Sequence, residues 1–274
     1  MRPYLLLPTD DVHDRSRPLD VSRLVAELAP AVAACVDVLV EDEVDSTNTR
    51  LLAAPAPQPA RLTVLLAESQ TAGRGRGGHA WDSGRGQGLW MSVAFHHADR
   101  PARLSGLSLV VGVVAARVIA QSCGITVRLK WPNDLLVGDD KVGGILIETA
   151  GVRAAAQTVV IGIGINTGAG EALFPGRTSI AALTQQPVDR NRLAAMLITE
   201  LHAMLPVFLS EGFSVYRSAW LAHAAWLGEL VSVSDGRYCG AMVGVDDHGR
   251  LQLSVDGSGI ETLPIGVFNL RRIV

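Results

Sequence analysis

The sequence contains few cysteines, few aromatic residues and few charged residues. Three of its 274 residues are cysteines, 5% are aromatic and 19% are charged. Cys35, Cys123 and Cys239 are far apart and form no Cys-x-x-Cys pair. This scattered set argues against a disulfide framework and against a zinc site, and it is typical of a reducing cytosol. We therefore expect a cytoplasmic protein.

The chain also has no excess of positive charge. Its 24 lysines and arginines are outnumbered by 27 aspartates and glutamates, which gives a formal net charge of −3. A protein that binds duplex DNA usually has a net basic surface, because its lysines and arginines displace counterions from the phosphates. We therefore expect no DNA partner for this chain.

No hydrophobic run is long enough for a membrane span. The longest, 104–120, contains two serines, two glycines and Arg117, and it falls short of the roughly 20 apolar residues that a transmembrane helix needs. The apolar run after Met1 is too short for a signal peptide and is followed at once by Asp10 and Asp11. The pattern predicts a buried helix and no membrane association.

The hydrophobic residues, 48% of the chain, favour a compact fold with a well-filled core. Up to residue 225, strand-like apolar runs alternate with helical patterns, including an amphipathic helix that Asp189 caps. After Trp226, short strands separated by Asp-Gly and Gly turns are typical of a small β-barrel of about fifty residues. We predict an α+β domain over 1–225, with helices around a mostly antiparallel mixed sheet, and a β-barrel domain over 226–274.

A loop rich in glycine and arginine, Gly73–Gly78, is the most informative motif. Glycines let backbone N–H groups approach a ligand closely, and arginines complement phosphate or carboxylate oxygens. The glycine spacing formally fits G-x-G-x-x-G, but a strand follows where a dinucleotide-binding motif needs a helix. No Gly-Lys-Ser/Thr follows either, so the loop is not a P-loop. Judged alone, it also fits a mobile surface loop.

Two further motifs lie at predicted strand ends. The first, 130–134 together with 141–146, places Lys141 and Asp134 beside glycines; the lysine suits phosphate or carboxylate charge, and the carboxylate suits that lysine or Mg²⁺. The alternative is a structural salt bridge. The second, 162–166, alternates glycine and isoleucine before Asn166, which predicts space above a buried strand or simply close packing.

Together the motifs resemble those of the biotin protein ligases, in order and in spacing, over nearly all of the chain after residue 40. The resembling segments are Asp45-Ser46-Thr47-Asn48, 68–77, Trp81, Lys130-Trp131-Pro132-Asn133-Asp134, 141–146 and 162–166.

This resemblance implies a catalytic fold like that of class II synthetases, followed by an SH3-like barrel. It also implies a two-step reaction. Biotin and ATP, with Mg²⁺, give biotinyl-AMP, and the biotinyl group is then transferred to a lysine of a biotin carboxyl carrier protein domain of acetyl-CoA carboxylase. Only about forty residues precede the first predicted strand, so we expect the monofunctional form that lacks an N-terminal DNA-binding domain.

The resemblance also implies roles for individual residues. Ser46, Thr47 and Gln70 would hydrogen-bond the ureido ring of biotin, which needs matched donors and acceptors in a buried site. Charge stabilisation would come from the catalytic residues Lys141, Arg74 and Arg76, while Asp134 is a candidate base or Mg²⁺ ligand. The implied biotin-binding set is Ser46, Thr47, Gln70, Gly73, Arg74, Lys141 and Gly144. The implied ATP- or adenylate-binding set is Arg76, Trp81, Asn133, Lys141 and Asn166.

Three alternatives remain at this point. Lipoate–protein ligase shares the chemistry and a related fold, but its ligand has no ureido ring for Ser46, Thr47 and Gln70 to bind. A non-catalytic protein that binds biotinyl-AMP or a carrier domain would not need the cations Arg74, Arg76 and Lys141. DNA binding is the alternative that the net charge disfavours most.

Overall fold

The computed structural model describes residues 17–98, 104–150, 157–168, 175–234, 236–255, 257, 259–266 and 270–273. The predicted turns at Asp235-Gly236 and Asp256-Gly257 lie partly outside these ranges.

The described residues form two sheets with helices around the larger one. The strands are β1 (Val36–Val44), β2 (Leu62–Gln70), β3 (Gly88–His97), β4 (Arg128–Lys130), β5 (Asp134–Val137), β6 (Asp140–Ala150), β7 (Gln157–Asn166), β8 (Leu230–Val233), β9 (Tyr238–Val245), β10 (Leu251–Val255), β11 (Gly259–Leu263) and β12 (Leu270–Arg272). The helices are α1 (Val21–Ala26), α2 (Pro30–Ala33), α3 (Thr47–Ala53), α4 (Leu107–Cys123), α5 (Ile180–Thr184), α6 (Arg190–Glu211) and α7 (Arg217–His223), with 3-10 turns at Arg76–Gly78 and Ser214–Tyr216.

The larger sheet has seven strands in the order β1-β2-β3-β7-β6-β5-β4. β1 and β2 are parallel, and every other neighbouring pair is antiparallel. The predicted mostly antiparallel mixed sheet is therefore confirmed. Its central strands are buried on both faces, because side chains alternate between the two sides of a strand and helices cover both.

The two faces of this sheet have separate cores. On one face, Leu51 of α3 packs against Leu65, Ala94 and Val160 from three neighbouring strands. The alternate strand positions, such as Val64, face the larger core that α4 and α6 complete. α3 is therefore fixed on the sheet at the point where the chain enters from β1, and its N-terminus is held at one place above the strands.

The smaller sheet is antiparallel throughout, in the order β11-β10-β9-β8-β12. The predicted small β unit is confirmed as a separate antiparallel sheet that is consistent with a small barrel-like domain. Among the described residues, its outer strands β11 and β12 do not pair with each other. The apolar side of this smaller sheet packs against the larger domain. Val231, Met242 and Leu253 belong to the same core as α4 and α6.

Polar contacts also join the two sheets. Trp131 Nε1 donates to Gly249 O at 3.0 Å, and Arg272 pairs with Asp139 at 2.7 Å. The predicted boundary between 225 and 226 stays a prediction.

Local sequence accounts for several differences from the predicted elements. Pro30 occupies the first turn of α2, where its missing N–H has no cost. Gly106, with φ of +83°, precedes α4, so that helix begins at Leu107 rather than at Leu104. α5 and α7 were not predicted.

Within the described ranges, one helix is long and apolar enough to cross a membrane by length and composition alone. This is α6, and half of its apolar window is buried inside the protein. A core helix meets the same criteria, and α6 packs against α4 in the main core.

Candidate active site

A cavity of about 530 Å³ lies above the sheet, between the N-terminus of α3, the loop 71–87 and the facing strands β5, β6 and β7. The structure brings eleven of the twelve predicted site residues to its wall: Ser46, Thr47, Gln70, Arg74, Arg76, Trp81, Asn133, Asp134, Lys141, Gly144 and Asn166. The remaining one, Gly73, lies behind the wall, where a side chain would collide with Trp81 O and Ser83 Oγ at 2.5 and 2.7 Å.

One end of the cavity is lined by uncharged polar groups that orient one another. Ser46 caps α3 and accepts a hydrogen bond from Thr49 N. Gln70 Oε1 accepts from Thr47 N at 2.9 Å and from Thr47 Oγ1 at 3.2 Å, while Gln70 Nε2 donates to Ser83 Oγ at 2.7 Å. The positions of these groups are therefore fixed before any ligand binds. We call this the amide end.

Two residues were missed from the sequence, namely Asn48 at the amide end and Glu148 beside it. Asn48 Oδ1 accepts from Ser92 Oγ at 2.6 Å, and Asn48 Nδ2 donates to Glu148 Oε2 at 2.9 Å. The Asn48 side chain fills the space above Gly162, where a Cβ would clash with its amide. Asn48 could have been found from its place in the Asp-Ser-Thr-Asn motif. No motif in the sequence indicated Glu148.

Glu148 also holds an arginine of the glycine-rich loop. Arg74 Nη2 lies 2.9 Å from Glu148 Oε2, the same oxygen that Asn48 contacts. The Arg74 side chain is 40% exposed and that of Glu148 is 25% exposed. Arg74 therefore has a protein counterion in this structure, and a ligand carboxylate or phosphate would compete with Glu148 for it.

The opposite end of the cavity carries positive charge around one carboxylate. Lys141 Nζ lies 2.5 Å from Asp134 Oδ1, and Lys130 Nζ lies 3.4 Å from Asp134 Oδ2. These side chains are 17–29% exposed, so solvent screens the excess charge only in part. One carboxylate between two ammonium groups leaves a net positive field that suits phosphate oxygens. We call Lys130, Asp134 and Lys141 the lysine triad.

Arg76 extends this positive region. Its Nη1 donates to Asn133 Oδ1 at 3.0 Å, and Asn133 Nδ2 donates in turn to Ile145 O at 2.8 Å. Burial lowers the pKa of Arg76, while the nearby charge of Asp134 acts in the opposite direction. A desolvated guanidinium held by a neutral amide keeps its charge available for an anion.

Trp81 covers the glycines between the two ends. A Cβ at Gly164 would lie 2.9 Å from the indole, and a Cβ at Gly144 would lie 3.2 Å from it. The ring can therefore pack here only because both residues are glycines. Lys141 Nζ is 5.0 Å from the indole centroid, within the range of a cation–π contact. The space predicted above strand 162–166 is therefore partly taken by Asn48 and Trp81. Trp81 Nε1 is buried and has no hydrogen-bond partner.

Asn166 holds the backbone that carries Lys141. Its Nδ2 donates to Thr178 O at 3.0 Å and to Lys141 O at 3.5 Å. Segment 176–178 runs parallel to β6 at this point, with Lys141 N donating to Gly176 O and Thr178 N donating to Lys141 O, both at 2.9 Å. Arg177, also missed from the sequence, lines the cavity beside Lys141.

A resident metal site is not apparent among the described residues, where no group of three or more His, Cys, Asp or Glu side chains is arranged around one point. Asp134, the carboxylate suggested as a Mg²⁺ ligand, directs both oxygens at lysines. Mg²⁺ is usually bound through one or two carboxylates and substrate phosphates, so any Mg²⁺ here fits better as part of a nucleotide substrate.

Comparison with known proteins connects this site to a family. The model of the biotin/lipoate A/B protein ligase family matches residues 40–166. The bifunctional ligase/repressor BirA of Escherichia coli is 38% identical over 80% of this chain and 70% of its own length. The biotin–[acetyl-CoA-carboxylase] ligase of Mycobacterium tuberculosis is 34% identical over 94% of this chain and 98% of its own length. A solved structure, biotin protein ligase from Aquifex aeolicus in complex with biotin and ATP, has a TM-score of 0.75 and 28% identity, covering 86% of this chain and 99% of that one.

The chain therefore belongs to the biotin/lipoate A/B protein ligase family, among its biotin protein ligases. It is an enzyme of the ligase class. The resemblance seen in the sequence and the predicted catalytic fold are confirmed. The roles assigned to single residues remain predictions.

Proposed function

We propose that this protein activates biotin with ATP as biotinyl-AMP and transfers the biotinyl group to a lysine of a carrier protein. The observation that carries the proposal is the division of one cavity into two ends. Uncharged donors and acceptors are fixed at the amide end, and the lysine triad with Arg76 forms a positive region at the other. A ligand with a polar ring at one end and a carboxylate at the other matches this division.

The amide end supports biotin as the acid that is activated. A ureido ring offers one carbonyl acceptor and two N–H donors, and burying it requires partners of both kinds. Ser46, Thr47 and Gln70 supply hydroxyl and amide groups held in place by the protein itself. Lipoate has no such ring, so these polar groups would be left unmatched by it, at a cost that discriminates strongly between ligands.

The positive end supports adenylation. The biotin carboxylate oxygen attacks the α-phosphorus of Mg·ATP, the bond from that phosphorus to the bridging oxygen breaks, and pyrophosphate leaves with the electron pair. Lys141 and Arg76 would counter the charge that develops on the phosphoryl oxygens. In this scheme Asp134 positions Lys141, and Mg²⁺ arrives with ATP as part of the substrate.

In the second step, an acceptor lysine amine attacks the carbonyl of the mixed anhydride and AMP leaves. The relatives named biotin–[acetyl-CoA-carboxylase] ligase support a carrier domain of that carboxylase as the acceptor. Asp134 stays the candidate base for the amine. The protein would act in the cytoplasm, and neither DNA nor a membrane is part of the proposal.

ATP–pyrophosphate exchange tests the first step directly. Purified protein is assayed with biotin, with lipoate and with neither, and we expect exchange only with biotin. Exchange with lipoate alone would move the protein to the lipoate ligases, and a folded protein with no exchange would refute the proposal. Transfer of labelled biotin to a recombinant carrier domain, and to the same domain with its acceptor lysine changed to arginine, tests the second step.

A further inference from the structure

Arg177 lies on the same side of the sheet as Lys141. Segment 176–178 makes a parallel β-bridge with β6, in which Arg177 is directly opposite Lys141. Residues opposite each other in a β ladder project from the same face. Lys141 and Arg177 both line the cavity, so two cationic side chains enter it from adjacent backbone positions.

The backbone that carries Arg177 is fixed although its side chain is exposed. The two hydrogen bonds to Lys141 hold it on one side, and Asn166 binds Thr178 O. Immediately afterwards Ser179 is buried and caps α5, accepting from Ala182 N at 3.2 Å. The segment is therefore anchored on both sides, so binding a ligand would order only the side chain of Arg177 and not its backbone.

The charge around the cavity also points to a polyanion. Four lysine and arginine side chains line it, namely Arg74, Arg76, Lys141 and Arg177, against the two acidic side chains Asp82 and Asp134. Arg74 also pairs with Glu148, which leaves an excess of one positive charge. The α-phosphate of an adenylate would use Lys141 and Arg76 in the proposed function. ATP carries two further phosphates, and these leave together as pyrophosphate.

We propose that Arg177 binds the β- and γ-phosphates of ATP and the departing pyrophosphate, an inference that rests on the proposed function. A guanidinium forms paired hydrogen bonds with phosphate oxygens in a fixed planar geometry. Its position beside Lys141 places this contact next to the α-phosphate contact. Arg177 then serves the adenylation step alone, because neither the adenylate nor the acceptor lysine carries these phosphates.

The test compares Arg177→Ala and Arg177→Lys with the unmodified protein in both half-reactions. For Arg177→Ala we expect the KM for ATP and for pyrophosphate in the exchange assay to rise about tenfold to a hundredfold, the loss of hydrogen bonds to a charged group. The KM for biotin and the single-turnover rate of transfer from synthetic biotinyl-AMP should stay unchanged. Arg177→Lys should recover part of the loss, since it keeps the charge but not the paired geometry.

Arg192→Ala is the matched control, because it removes an exposed arginine on α6 outside the cavity. Equal losses in both variants would mean a long-range charge effect and would overturn the inference. So would an unchanged KM for pyrophosphate, or slower transfer from biotinyl-AMP, in Arg177→Ala.

Calorimetric titration with pyrophosphate and with a non-hydrolysable ATP analogue adds a readout that is independent of catalysis. If the unmodified protein binds the analogue and Arg177→Ala binds it at least tenfold more weakly, the phosphate contact is supported even where exchange is slow. If the unmodified protein shows biotin-dependent exchange but analogue binding is equal in both proteins, only the Arg177 assignment fails. Absence of both exchange and nucleotide binding in the unmodified protein would refute the proposed function and this inference together.

Discussion

Two ion-pair groups in this protein differ in what surrounds them. Arg190 at the start of α6 and Glu68 near the end of β2 lie 2.8 Å apart, and their side chains are 1% and 10% exposed. Arg190 also donates to Gly88 O, and Glu68 Oε1 accepts from Leu19 N at 2.6 Å. The lysine triad is more exposed, opens onto the cavity and has one more positive than negative group.

The difference shows how charge is used in the fold and in the site. The Arg190–Glu68 pair carries no net charge. Its other hydrogen-bond partners are backbone groups of residues 17–19 and of Gly88. The pair therefore connects β2, the start of β3, α6 and residues 17–19. Removing one member of such a pair leaves an uncompensated buried charge. The triad has two positive groups and one negative group beside the cavity. The remaining positive charge can be neutralised by a bound anion.

The largest expected effect is on stability, from breaking the buried pair. Arg190→Met leaves the Glu68 carboxylate with Leu19 N but no cation, and we expect a loss of about 3–5 kcal/mol in the free energy of unfolding. Urea unfolding followed by circular dichroism measures it. The double variant Glu68→Leu/Arg190→Met removes both charges and should be much closer to the unmodified protein. A single variant that loses less than about 1 kcal/mol would mean that the pair does not hold these elements together.

The next effect is on activity, from breaking the triad. We expect Lys141→Ala to reduce biotin-dependent ATP–pyrophosphate exchange about a hundredfold to a thousandfold with little change in stability, because it removes a cation from the reacting phosphate. Lys130→Met is the comparison, since it removes the surplus charge of the triad but no cavity-lining group, and we expect it to lose less activity. Equal losses in the two variants would show that the net charge of the triad, rather than contact with Lys141, is what matters.

The amide end offers an uncharged counterpart to the triad. Gln70→Ala removes the acceptor for Thr47 and a partner of Ser83. We expect the KM for biotin to rise about tenfold to a hundredfold while the KM for ATP stays the same, because only the ring contacts change. A shift in the KM for ATP alone would reverse the assignment of the two ends.

Arg76→Gly tests whether the positive region retains the intermediate. We expect biotinyl-AMP to leave the enzyme about tenfold faster, through loss of a charge-assisted hydrogen bond. The rate is followed by the release of labelled adenylate from a preformed complex. Arg50→Ala, which breaks the exposed pair with Asp45, provides the control. Unchanged retention in Arg76→Gly would remove its assigned role.

The smallest effect concerns an ion pair on the surface. A hydrogen bond from Ser46 N, followed by one from Arg50, holds the pKa of Asp45 below its usual value of 3.8. Its contribution to stability is therefore complete above pH 3.8 and is lost as the pH falls through the lower folded-state pKa. In Asp45→Asn, thermal unfolding between pH 5 and 3 should show a slightly weaker pH dependence. A stronger dependence would contradict the direction of this pKa shift.

The sequence predicted the parts of the site that are local. Ser46, Arg76 and Lys141 stand in short motifs whose residue types already indicate anion or amide recognition, and the larger sheet followed from apolar runs of strand length. Contacts between distant segments carried no such signal. Glu148 contacts Asn48 from 100 positions away, and Glu68 and Arg190 are separated by 122. The small C-terminal β unit followed from its short strands and turns, but its strand order β11-β10-β9-β8-β12 was not predictable, because it depends on how distant strands meet in space.

Trp81 gives this protein an optical property that follows from its packing. Of the five tryptophans, Trp90, Trp131, Trp220 and Trp226 are at most 7% exposed, whereas Trp81 is partly exposed at the cavity and beside Lys141. Indole emission depends on local polarity and on nearby charge, so we expect a ligand that enters the cavity to change the fluorescence of Trp81 and, to a smaller extent, that of the buried Trp90, which lines the same cavity 6.5 Å away. The intrinsic emission of the native chain should therefore report occupancy in real time without a label, and Trp81→Phe should remove most of the signal.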